Sequence, residues 1–184
     1  PEVFNMLNTK YIIYNNEDNQ LQYLENDEVN GNAWFVKNLI SVSDADSEIL
    51  ALDTLKTKFS AVINKNLHSG GRFVVDSTAH IELTDYAPNK LVYTSSNKHD
   101  GFAVFSENYY KHGWEVTIDG QEVQYYNVNY ILRGLEVPKG NHTITFEFNP
   151  EVVRTGSMIA IISSILFLIL LGLFGFMYNN KRGE

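Results

Sequence analysis

The chain has 184 residues, with 14 Lys or Arg against 22 Asp or Glu, so its formal net charge at pH 7 is -8. This acidic balance disfavours nucleic acids and anionic lipid surfaces as partners. Cysteine is absent, which excludes disulfides, thiolate metal ligands and cysteine nucleophiles. Because the first residue is Pro1 rather than Met, we expect either a removed leader or a longer protein that contains this sequence.

The first sixty residues predict a small α+β segment. An apolar cluster over residues 3–7 indicates a helical turn, and the run Tyr11–Tyr14 with Leu21–Leu24 indicates a hairpin. One or two buried strands are expected within Trp34–Val42. Ser43–Asp46 resembles a capping box and precedes apolar residues at helical spacing, so a helix is predicted there.

Residues 61–150 predict a series of short strands separated by turn residues. Ala79–Leu83 alternates apolar and polar residues with the period of two that is typical of a half-buried strand. Gly101–Phe105 is apolar throughout and indicates a strand in the middle of its sheet. Further strands are predicted at Ala61–Ile63, Phe73–Val75 and Lys90–Ser95.

Two hairpins are predicted near the end of this region. Trp114–Ile118 and Glu122–Tyr126 flank an Asp-Gly pair, which favours the positive φ angles of a type I′ turn. Tyr130–Val137 and His142–Phe148 flank a Pro-Lys-Gly turn. Turn signals at intervals of about 8–12 residues are typical of sandwiches. We therefore predict a mainly β fold, an antiparallel β-sandwich over 61–150 with the small α+β segment 1–60 packed on it.

A single C-terminal transmembrane helix is predicted at Met158–Tyr178, which contains no charged residue. At about 1.5 Å per residue this run covers the roughly 30 Å hydrocarbon core. Lys181 and Arg182 follow at once, and excess positive charge marks the cytoplasmic side. We expect residues 1–155 to be extracytoplasmic, 151–157 to be a short linker and 179–184 to be a cytoplasmic tail.

No catalytic residue, metal site or cofactor is predicted within this chain. The five histidines are scattered and lack the spacing that brings two imidazoles to one ion. Asp44, Asp46 and Glu48 alternate as in a calcium loop, but Ile49 stands where that loop needs glycine. Acidic residues in the first turn of a helix stabilise the helix dipole, and this role also explains these three residues. Asp44 and Asp46 have the D-x-D spacing of many sugar transferases, which chance also produces.

The most distinctive stretch runs from Phe105 to Phe148 and is rich in aromatic residues. Aromatic faces with carboxylates and an arginine suit a sugar, by stacking on its C–H faces and hydrogen-bonding its hydroxyls. The alternative, which the sequence alone favours, is that these aromatics fill the core and that a carboxylate pairs with the arginine. The candidate glycan-contacting residues are Glu107, Tyr109, Tyr110, Trp114, Tyr130 and Arg133.

In the same stretch the chain resembles the C-terminal region of the bacterial YfhO family of membrane proteins. The segments that carry the resemblance are SENYYKHGWEVTIDGQEV (106–123), NYILRGLEVPKGNHTITFEFNP (129–150), the terminal apolar helix, LNTKYIIY (7–14), GNAWFV (31–36) and LTDYAPNKLVY (83–93). The resemblance implies a large protein with many membrane helices, similar to GT-C glycosyltransferases that use polyprenyl-linked sugars. It also implies the bacterial cytoplasmic (inner) membrane as the location.

Since the multi-helix part in which such enzymes keep their catalytic acid is missing, no catalytic residue transfers to these positions. The resemblance implies a domain accessory to glycosyl transfer onto cell-surface polymers. Its expected partners are the lipid bilayer, other transmembrane helices of the same protein, and a glycan or polyprenyl-linked sugar. A single-pass, membrane-anchored carbohydrate-binding or adhesion module is the alternative.

Overall fold

The structure, a computed structural model, describes residues 2–181, with side chains through residue 177. The described residues contain three helices: α1 (Glu2–Met6) before the strands, α2 (Ala45–Leu52) between the fourth and the fifth strand, and α3 (Glu151–Lys181) after the last strand. The strands of the described residues are β1 Tyr11–Asn15, β2 Leu21–Glu25, β3 Ala33–Val36, β4 Asn38–Val42, β5 Ser60–Asn64, β6 Gly71–Arg72, β7 His80–Ala87, β8 Lys90–Asn97, β9 Gly101–Asn108, β10 Trp114–Ile118, β11 Gln121–Glu122, β12 Tyr126–Val128, β13 Leu132–Val137 and β14 Gly140–Phe148.

These strands form two facing sheets and a separate β1–β2 hairpin. The larger sheet has seven strands in the order β3-β9-β13-β12-β5-β4-β6, and the smaller has five in the order β11-β10-β14-β8-β7. Neighbouring strands are antiparallel except β4 and β5, which are parallel and are joined through α2. The predicted antiparallel β-sandwich is confirmed. Since β3, β4 and β5 belong to the seven-stranded sheet, the predicted division at residue 60 does not coincide with a sheet boundary.

The middle of the seven-stranded sheet, around β9 and β13, is buried on both faces. Along β9, Phe102 and Val104 pack into the core beneath α1 and α2, whereas Ala103 and Phe105 pack into the core between the two sheets. A strand that is covered on both sides needs apolar residues at every position. This explains why Gly101–Phe105 is continuously apolar, as predicted for a central strand.

Helix α2 and the first hairpin turn follow the local sequence signals. Asp44 is the N-cap of α2, and its side chain accepts a hydrogen bond from the Ser47 backbone N–H at 2.8 Å. Asp119 and Gly120 have φ angles of 51° and 80°, which fit the predicted type I′ turn between β10 and β11.

The second predicted hairpin is wrong, because the Pro-Lys-Gly turn joins the two sheets instead of two strands of one sheet. Strand β13 pairs with β9 and β12, whereas β14 pairs with β8 and β10. Side-chain bonds hold this crossing: Asn97 Nδ2 donates to the Pro138 carbonyl at 3.0 Å, and the Lys139 N–H donates to Asp100 Oδ1 at 2.9 Å. Short-range turn chemistry cannot distinguish the two connections.

Three other predicted boundaries differ from the structure. The strand expected at Phe73–Val75 is instead the short β6 at Gly71–Arg72; the Phe73 N–H still donates to the Lys37 carbonyl at 2.8 Å, and its ring packs against Phe102 at 5.8 Å. The strand expected at Glu122–Tyr126 is divided between β11 and β12, which lie in different sheets. The expected linker over 151–157 is helical, since α3 begins at Glu151.

Helix α3 has the features of a membrane-spanning helix. Residues Glu151–Met177 are long and apolar enough to cross a bilayer, and every side chain in this range is exposed. The hydroxyls of Ser163 and Ser164 donate to the carbonyls of Ile159 and Ala160. Polar groups in hydrocarbon require such internal partners. Lys181 and Arg182, on which the orientation prediction depends, lie outside the described side chains.

Candidate functional site

A break in strand pairing shapes the site at the end of β9. Phe105 pairs with Arg133 and Asn108 pairs with Leu132, so Ser106 and Glu107 have no partner on β13. Ser106 instead lies in hydrogen-bond distance of the Met6 and Gly31 carbonyls, at 2.7 and 2.8 Å. Bulges of this kind redirect side chains and are common beside functional sites.

A cleft of about 440 Å³ opens beside this bulge. We call it the Trp114 cleft. It is lined by Pro88, Ser106, Glu107, Asn108, Tyr110, Trp114, Arg133 and Phe148. Tyr110 is 54% exposed, whereas the Trp114 ring is half-buried and packs against the Phe148 ring at 5.3 Å between centroids. The cleft therefore offers aromatic surface that solvent reaches.

Arg133 is the charged group most deeply enclosed at this site, at 3% exposed. Its guanidinium lies 4.1 Å from the centre of the Trp114 ring and 5.1 Å from that of Phe146. Its Nε donates to the Asn108 carbonyl at 3.0 Å, but its buried Nη1 has no hydrogen-bond partner among the described residues. The carboxylate partner expected from the sequence is not found within that part of the chain.

Glu107 is the carboxylate that lines the same cleft. Burial raises the pKa of Glu107, and the positive charge of Arg133 partly offsets that rise. Burial also lowers the pKa of Arg133, while the charge of Glu107 acts in the opposite direction. The two groups thus influence each other through space without forming an ion pair among the described side chains.

The structure brings four of the six candidate residues together and separates the other two. Tyr109 packs its ring against Tyr125 at 5.2 Å, next to the Trp114 cleft but not among its lining residues. Tyr130 lies in a second cleft of about 580 Å³ with Glu48. Sequence proximity to Arg133 suggested a shared site for Tyr130, but its backbone at φ 70° places it elsewhere.

The Trp114 cleft adjoins the first residues of the membrane helix. Phe148 lines the cleft, and α3 begins three residues later at Glu151. The Asn149 N–H donates to the Gly113 carbonyl at 2.6 Å. Gly113 has φ 94°, and a Cβ there would lie 2.8 Å from the Pro150 Cβ. The loop before β10 is therefore fastened to the start of the helix.

Sequence reasoning missed Pro88, Ser106, Asn108 and Phe148 at the Trp114 cleft, and it missed the buried position of Glu48. Pro88 and Phe148 are 60 positions apart in the sequence, and only the fold brings them to the same cleft. Within the described residues no group of three or more His, Asp or Glu side chains is placed to hold a metal ion.

The sequence profile of the family described as "Bacterial membrane protein YfhO" matches residues 74–160. No curated protein and no solved structure gives a significant match to the chain. The match contains the whole Trp114 cleft and the start of α3, whereas the resembling segments 7–14 and 31–36 lie outside it. Together with the apolar helix it identifies a membrane protein. Residues 74–160 of this chain are thus a YfhO-family region, and the predicted resemblance to the C-terminal part of that family is confirmed there.

Proposed function

We propose that the β-sandwich is an extracytoplasmic domain that positions a glycan acceptor at the membrane surface, accessory to glycosyl transfer from a lipid-linked sugar. The observation that carries the proposal is Arg133: an enclosed cation that forms no ion pair with the described side chains, at an aromatic cleft beside the membrane helix. A lipid-linked donor is confined to the bilayer surface. An acceptor site that lies at the bilayer surface would bring the acceptor close to this donor.

The chemistry of the Trp114 cleft supports an oxygen-rich ligand with apolar faces. Trp114 and Tyr110 offer rings for the C–H faces of a sugar, and Glu107 accepts hydrogen bonds from hydroxyls. Arg133 adds positive charge that attracts an acidic or hydroxyl oxygen. The residues that line this cleft provide no activated nucleophile. We therefore assign positioning to this domain and the transfer reaction to another part of the membrane protein.

The outward placement of the sandwich can be tested with a single cysteine, because the chain has none of its own. Gln121 is an exposed residue of the short edge strand β11, so Gln121→Cys should accept a membrane-impermeant maleimide in intact spheroplasts. Asn180→Cys, at the C-terminal end, is the matched control and should react only after the membrane is opened. The opposite labelling pattern would show that the sandwich faces the cytoplasm.

The accessory role can be tested in the membrane protein that carries this domain. Deleting residues 2–150 while keeping α3 should strongly reduce transfer of sugar to the polymer acceptor, because the acceptor is no longer held at the surface. The lipid-linked donor should still bind at an unchanged level, which serves as the control for a folded membrane part. Full transfer activity after the deletion would contradict the proposal.

A further inference from the structure

The second cleft, of about 580 Å³, lies where α2 and β5 meet the β12–β13 turn. We call it the Glu48 cleft. Its polar lining consists of Glu48, Asn64, Asn66, Asn127 and Tyr130. These residues lie outside the Trp114 cleft, and the proposed acceptor site does not use them.

Glu48 is a largely buried carboxylate that accepts one hydrogen bond from the protein. The residue is 4% exposed, and its Oε1 accepts from the Tyr130 N–H at 2.9 Å. Its Oε2 accepts no hydrogen bond from the described residues and is not fully enclosed, so solvent or a ligand can reach it. Burial raises the pKa of Glu48, and the bond from the Tyr130 N–H opposes this rise. An acid that only stabilises the dipole of α2 does not need to be buried. The helix-dipole role therefore does not fully explain Glu48.

The turn opposite Glu48 is held in a rare backbone conformation. Asn129 and Tyr130 have φ angles of 49° and 70°, a left-handed region that non-glycine residues seldom adopt. Asn127 Nδ2 donates to the Tyr130 carbonyl at 3.0 Å, while the buried Asn127 Oδ1 has no partner within the described chain. Such conformations often accompany binding sites, because they fix a side chain that would otherwise move.

Glu48 Oε2 is a hydrogen-bond acceptor, so a ligand that binds it must present a donor. We infer that the Glu48 cleft is a second binding site, for a neutral sugar or polyol whose hydroxyl donates to Glu48 Oε2. The Tyr130 ring, which is 41% exposed, supplies a stacking surface. The amides of Asn64 and Asn66 supply both donors and acceptors for neighbouring hydroxyls.

A calcium ion fits the same lining less well. Calcium takes six to eight oxygen ligands, usually from several carboxylates. Glu48 is the one carboxylate among the lining residues of the Glu48 cleft. A sugar needs fewer charged groups and uses the aromatic surface, which a metal ion leaves unused.

The test is NMR titration of the full ¹⁵N-labelled chain in phospholipid nanodiscs, which avoids detergents with sugar headgroups. The probes are glucose, galactose, N-acetylglucosamine and glycerol, added singly to millimolar concentration, and Ca²⁺ in a separate titration. At least one sugar or glycerol should produce saturable shifts of the Tyr130 backbone N–H and the Asn127 side-chain amide. The indole N–H of Trp114 reports separately on the other cleft, so failure at one site is distinguished from failure at the other.

Glu48→Gln should weaken this binding about tenfold or more, since a charge-assisted hydrogen bond is replaced by a neutral one. Glu82→Gln, on the exposed face of β7, is the matched control and should leave binding unchanged. If Glu48→Gln fails to fold, Tyr130→Asn is the second variant, because it removes the ring while asparagine tolerates the left-handed backbone. Saturable shifts with Ca²⁺ only, no shift with any probe, or binding unaffected by the folded variants would each overturn the inference.

Discussion

Replacing Phe105 with alanine should lower the free energy of unfolding of the sandwich by about 4 kcal/mol. Phe105 is fully buried between the sheets, and its ring lies 4.9 Å from the centroids of both Tyr93 and Phe146, at steep interplanar angles. Truncation removes a large apolar side chain and two edge-to-face contacts, and the surrounding strands cannot collapse into the space.

Tyr93→Phe is the matched control for this variant. The Tyr93 ring is fully buried in the same cluster, but its hydroxyl oxygen has no partner among the described residues. Since that buried hydroxyl has lost its hydration, its removal should leave stability unchanged or raise it. Urea unfolding of the full chain in nanodiscs, followed by tryptophan fluorescence, measures both variants. If Tyr93→Phe lowered the free energy of unfolding as much as Phe105→Ala does, the Tyr93 hydroxyl would have a hydrogen-bond partner, contrary to this expectation.

The sequence predicted the elements whose signals are local. The start of α2, the Asp119-Gly120 turn and the continuous apolar run of β9 each depend on residues a few positions apart, and the structure confirms all three. The N-cap of α2 is Asp44, however, one residue after the Ser43 that a capping box over Ser43–Asp46 requires. The connection between β13 and β14 was mispredicted for the same reason. Its turn residues are compatible with a hairpin, and only the pairing of β13 with β9 decides that the chain crosses between sheets.

The candidate site likewise combines features that the sequence predicts with features that depend on the fold. Composition pointed to Glu107, Tyr110, Trp114 and Arg133, and the structure brings these side chains to one cleft. Tyr130 was grouped with them by sequence distance, but the left-handed turn directs it to the Glu48 cleft. A bulge and a positive φ leave little trace in a single sequence, because each residue there is also common in ordinary loops.

Trp114→Ala should weaken binding of the glycan acceptor about 30-fold, since loss of an aromatic contact at the centre of a binding site costs about 2 kcal/mol or more. The Arg133 guanidinium lies 4.1 Å from the centre of the Trp114 ring, so the variant also removes one of the groups that contact this guanidinium. Trp114→Phe retains an aromatic face and should lose much less. Tyr86→Ala, which removes an exposed ring on β7 outside the cleft, should have no effect.

The measurement that tests the account most directly is calorimetric titration of the full chain in nanodiscs with surface glycopolymer purified from the bacterium that makes the protein. We expect saturable binding in the millimolar range or tighter, weakened about 30-fold by Trp114→Ala and unchanged by Tyr86→Ala. Absence of binding by the unmodified chain, or equal binding by a folded Trp114→Ala variant, would contradict the assignment of the Trp114 cleft as the acceptor site.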